Sequence, residues 1–216
     1  ALAQCAPNPG AGSTSNEVIT CDGDDPDGVN VGSGEDLVLI IDGTVMGRII
    51  SEGGTLTVII DGGELNSSTA GIIITGAGNI IAEGDVTSAD YAIIVTGSGT
   101  ISSTGDVTAG VVGLFLGNSG TITSTGDLNA GNFGVYIGGD GSITSTGNVT
   151  SGVSGIFISK NGEIHSTGAV SGDVHGFFIG GNGAVTSLGT VTGGEFGFYI
   201  GGDGEVTSTG DVTGGN

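Results

Sequence analysis

The sequence predicts an all-β fold, a right-handed parallel β-helix (β-solenoid) with three short strands per coil and about 21 residues per coil. Three observations predict it. Blocks of 21 residues follow one another without gaps from Gly78. Aliphatic residues recur at fixed offsets in every block, and glycine columns separate them.

The blocks begin at Gly78, Gly99, Gly120, Gly141, Gly162 and Gly183, with a partial seventh at Gly204. Their third column reads Ile80, Ile101, Ile122, Ile143, Ile164, Val185 and Val206. The ninth reads Val86, Val107, Leu128, Val149, Val170, Val191 and Val212, and the eighteenth Val95, Leu116, Ile137, Ile158, Ile179 and Ile200. Side chains alternate along a strand, so Ile122 is expected inside while Thr121 and Thr123 face out. Coils stacked about 4.8 Å apart turn each column into a ladder of like residues. Glycine fills the first and seventh columns and, except for Ala92, the fifteenth, where it is expected to turn corners with positive φ. Helices are excluded, because glycine costs about 1 kcal/mol at each helical position.

Before Gly78 the repeat is less regular. Residues 37–42 and 56–61 read as corresponding strands, so the solenoid is expected to occupy residues 35–216. Residues 1–34 are expected to form an N-terminal cap that covers the first exposed strand edge. The chain stops at Asn216, midway through a repeat, which suggests a segment of a longer protein.

Composition narrows function. Glycine accounts for 49 of the 216 residues, yet no G-X-Y period is present, so collagen is excluded. Against 23 acidic residues stand only Arg48 and Lys160, for a net charge of −21. Such a surface repels phosphates and anionic lipids, which argues against nucleic acid and against direct membrane insertion of this segment. No apolar run reaches 18 residues. The opening Ala1-Leu2-Ala3 matches the small-x-small pattern left at a signal-peptidase site, pointing to export. In an exported protein Cys5 and Cys21 are expected to form a disulfide, worth about 3 kcal/mol for a loop of this size.

The most informative surface feature is an aromatic column. The seventeenth position carries Ile94, Phe115, Tyr136, Phe157, Phe178 and Tyr199, and the fourteenth adds Tyr91, Phe133 and Phe196. Alternation sends these side chains outward, and a continuous stripe exceeds the scattered apolar exposure of an ordinary monomer. It serves either as a surface for a glycan, a protein or another copy, or as mutual stacking that stabilises the ladder.

Other candidates are weaker. Asp22, Asp24, Asp25 and Asp27 crowd carboxylates into one loop, where calcium competes with a plain solvated turn; no other cofactor is suggested. Asp85, Asp106 and Asp127 stack in one column, tolerable on exposure alone because such charges repel by about 1 kcal/mol in water. A threonine and serine array, including Thr121, Thr123, Ser142 and Thr144, resembles an ice-binding face, but Glu163, His165, Ala184 and Glu205 interrupt it. No catalytic residues emerge: His165 and His175 sit in different columns and neither recurs.

The segment from Cys5 to Cys21, then Asp-Pro-Asp-Gly-Val-Asn-Val at 25–31 and Glu-Asp-Leu-Val-Leu-Ile-Ile-Asp at 35–42, resembles the start of passenger domains of bacterial type V autotransporters. The Gly/Thr-rich coils resemble the same family over the rest of the chain. The resemblance implies outer-membrane secretion, with the passenger displayed outside a C-terminal β-barrel. The expected function is a non-enzymatic extracellular rod for adhesion or self-association, with end-to-end filament formation as the alternative and an ice-binding or glycan-active solenoid behind both.

Overall fold

The structure, a computed structural model, describes residues 18–21, 28–32, 37–61 and 64–215. Every regular element among them is a strand, arranged as three parallel sheets that wind into a solenoid of about 9 turns. One coil explains the rest. Gly120–Ser124 lies in the first sheet, Leu128–Ala130 in the second and Phe133–Ile137 in the third. Each pairs with the strand one block later, Ile122 with Ile143, Leu128 with Val149 and Ile137 with Ile158. Identical offsets in sequence are therefore vertical neighbours in space.

The earlier coils vary in length. Leu37 pairs with Leu56 and Leu56 with Ile80, spacings of 19 and 24 residues. Two segments of the predicted cap extend the sheets. Val18–Cys21 pairs with Leu37–Ile41 in the first, and Val29–Gly32 with Ile49–Ser51 in the third. Cys21 is buried at the end of its strand, whereas Cys5 and the acidic residues Asp22, Asp24, Asp25 and Asp27 lie outside the described residues.

A single apolar core runs down the axis. The third, ninth and eighteenth columns line it, except that Val206 and Val212 are exposed, together with a sixteenth column of Ile93, Leu114, Val135, Ile156 and Phe177, all fully buried. The fifth column points inward too, and it is serine: Ser103, Ser124, Ser145, Ser166 and Ser187 are buried. Part of this column braces the next corner. Ser166 Oγ donates to the Gly168 carbonyl at 3.4 Å and Ser187 Oγ to that of Gly189 at 3.3 Å. The buried hydroxyls of Ser103 and Ser124 have no partner within hydrogen-bonding distance.

The glycine columns do the expected job only in part. Left-handed glycines lie mostly in the irregular part, at Gly28, Gly53, Gly54 and Gly76; in the regular coils Gly84 of the seventh column also has positive φ, at 105°, whereas Gly120, at φ 158°, is nearly extended. What the fifteenth column needs instead is room. A Cβ on Gly134, Gly155 or Gly176 would overlap the Cγ1 of Val149, Val170 or Val191, the ninth-column residue one coil on. Two sheets approach so closely at this corner that a methyl has no place.

Candidate functional site

The third sheet positions the aromatic column. In Phe133–Ile137 the buried Val135 and Ile137 supply the core, and Tyr136 between them turns outward. Parallel in-register pairing repeats that geometry at Phe115, Phe157, Phe178 and Tyr199. Their rings stack nearly parallel. Phe115–Tyr136 centroids are 5.1 Å apart, Tyr136–Phe157 5.0 Å, Phe157–Phe178 4.4 Å and Phe178–Tyr199 4.8 Å, with interplanar angles of 3–6°. Fourteenth-column rings close one flank edge-on. Phe133 lies 5.4 Å from both Tyr136 and Phe157, and Phe196 lies 5.7 Å from Tyr199.

This packing sets what the stripe can do. Ring faces are spent on one another, so ring edges meet the solvent, and most of the rings are only half-exposed. A pyranose stacks on an open aromatic face, and the central rungs offer none. An apolar surface laid along the ridge meets no such obstacle. The small residues of the fourteenth column, Val112 and Ser154, are themselves buried between larger neighbours.

His175 occupies that column and was not legible as part of a site. Its Nδ1 lies 3.0 Å from Ser154 Oγ, and its ring stacks on Phe196 and meets Phe178 edge-on at 5.1 Å. Ser154 is 1% exposed, which makes this contact a brace within the stripe and leaves no approach for a substrate to the hydroxyl. Burial lowers the His175 pKa from 6.5, while the Glu195 carboxylate opposes that shift. The sign follows directly. The neutral ring is favoured in the fold, so its contribution to stability is present above 6.5 and is lost as pH falls through the lowered value. Glu195→Gln is expected to lower the His175 midpoint further, and an NMR titration of its imidazole protons checks this.

The acidic column is held by more than exposure. Asp85 Oδ1 accepts the Asp106 N–H, Asp106 Oδ1 that of Asp127, and Asp127 Oδ1 that of Asn148, each at 2.8 Å. Each carboxylate therefore meets a backbone donor one coil on, which offsets the repulsion between like charges. A second ladder rises at the corner beside the aromatic stripe. Asp140 Oδ1 accepts the backbone N–H and Nδ2–H of Asn161, both at 3.0 Å, and Asn161 Oδ1 accepts the Asn182 N–H at 2.9 Å. These acids serve the backbone. Among the described residues no group of three or more His, Cys, Asp or Glu side chains is placed to hold a metal ion.

The threonine array is where alternation puts it: Thr121 pairs with Ser142 and Thr123 with Thr144 on the outer face of the first sheet. Glu163 and His165 follow in those two columns, so the hydroxyl face is broken one coil later. No family model, curated protein or solved structure matches this chain.

Proposed function

We propose that this chain is a non-enzymatic rod that presents the aromatic stripe for contact, a structural or adhesive module of an exported protein displayed at the cell surface. The stripe carries the reading: one ordered apolar ridge on a molecule whose net charge is −21. Charge keeps such a rod soluble, and contacts along the ridge add up coil by coil. Display outside a bacterium as an autotransporter passenger agrees with the N-terminal resemblance and with described residues whose regular elements are all stacked strands. The covered ring faces favour a flat apolar protein surface as partner over a stacked sugar.

Beads coated with the chain test this. Retention on cell layers and bead-to-bead clumping are expected for the wild type and to fall at least about fivefold for Phe157→Ser combined with Phe178→Ser. Circular dichroism on the same variant verifies that the strands persist. Equal retention by this variant, or turnover of a polysaccharide by the wild type, contradicts the proposal.

A further inference from the structure

We infer that the middle of the stripe is a docking face for a second copy of this chain, which names the partner within the function proposed above. The distribution of charge points there. Between residues 99 and 161 the acids are Asp106, Asp127 and Asp140, and the one base is Lys160. Asp106 and Asp127 stand on the corner between the first and second sheets, away from the stripe. Around Phe115, Tyr136 and Phe157 the rims therefore carry only Asp140 and Lys160, which cancel; the fourth coil, at Phe178, adds Asp173, in the column of the uncharged Gly110. On one side the rim is Gly117, Asn118, Gly138 and Gly139; on the other it includes Gly110 and Asn132. Depletion of charge around an aromatic centre is how interface cores differ from ordinary surface.

Symmetry then places the two charges. Asp140 and Lys160 are exposed on the same rim, one coil apart, just after the strands ending at Ile137 and Ile158. Two identical faces pack through a two-fold axis lying between them. An axis along the strands, midway between Tyr136 and Phe157, reverses the order of the coils and keeps each rim against its counterpart. Tyr136 of one copy then meets Phe157 of the other, and Phe115 meets Phe178. The same operation sets Asp140 against Lys160 twice, once in each direction. Strands of about 16 Å over the four coils from Phe115 to Phe178, about 4.8 Å apart, give roughly 300 Å² per copy, or about 600 Å² per pair. That is below the range of specific one-to-one interfaces, so one pair is weak and arrays of rods gain by multiplicity. A cationic partner is steered instead to the acidic corner of Asp85, Asp106 and Asp127.

Sedimentation velocity of the 216-residue chain at rising concentration, in about 0.15 M salt, tests this. The wild type is expected to move from monomer to dimer. Lys160→Glu sets like charges opposite each other and is expected to weaken the dimer about tenfold, while Lys160→Glu with Asp140→Lys restores it. Recovery by the double reversal is a result that misfolding cannot produce. A wild type that stays monomeric at millimolar concentration, or a dimer indifferent to Lys160→Glu, overturns the inference. If either result comes with bead retention that still depends on Phe157 and Phe178, the partner is wrong and the presenting role stands; if retention is independent of them too, both fail.

Discussion

Gly134→Ala is expected to destabilise the solenoid by more than about 3 kcal/mol, a large cost for one methyl group. A Cβ there overlaps Val149 Cγ1 and stands 2.7 Å from the Gly155 carbonyl oxygen. Neither neighbour can yield. Val149 is fully buried and stiff at χ1, and the Gly155 carbonyl belongs to the next coil's backbone. Chemical denaturation measures the loss, and a double-mutant cycle identifies its cause. Adding Val149→Ala is expected to recover part of the stability, because it removes the clashing methyl, whereas two independent defects would simply add. Near-wild-type stability for Gly134→Ala would mean that the corner is looser than the geometry requires.

Phe177→Ala is expected to cost about 3–5 kcal/mol, the range for deleting a buried aromatic ring. Phe177 is fully buried in the sixteenth column and stacks on Phe198 at 5.2 Å and 4°. In a solenoid each coil touches only its neighbours, so the damage is local. Hydrogen exchange is expected to speed up in the strands from Gly162 onward and to change little around Gly99–Ser103. Phe178→Ala, one residue away, removes a half-exposed ring from the outer stripe and is expected to cost less than half as much. That contrast between adjacent phenylalanines is the energetic form of strand alternation.

The fold was largely legible because the register needed no gaps. Once Ile122, Ile143 and Ile164 share a column, period-two alternation assigns inside and outside, and the aromatic seventeenth column follows. Reading columns by their dominant residue type hid other features. The inward serines at Ser145, Ser166 and Ser187 look like solvent-facing strand residues until the hydroxyl meets the corner carbonyl. Glycine was recognised at the corners, and Gly84 does take positive φ there, yet the reason for the fifteenth column was misread. Positive φ is a property of one residue, whereas the clash at Gly134 depends on Val149, fifteen positions later and in another sheet. The acidic column was likewise judged on charge alone, and the N–H donors that hold it belong to the following coil. The Ser154–His175 brace escaped because neither residue recurs. Before Gly78 the spacings of 19 and 24 residues break the period, yet the matching strands at 37–42 and 56–61 were legible from their shared aliphatic run and do pair, Leu37 with Leu56.

The stripe, the ladders and the docking geometry all require residues 21 apart to be neighbours across one layer of backbone hydrogen bonds. Nuclear Overhauser contacts in a ¹⁵N-labelled chain measure this directly. Backbone contacts are expected to link Thr121 with Ser142, Ile122 with Ile143 and Thr123 with Thr144, and to repeat through Glu163, Ile164 and His165. Contacts at spacings of three and four residues, or between strands offset by 20 or 22 in these coils, would contradict the account.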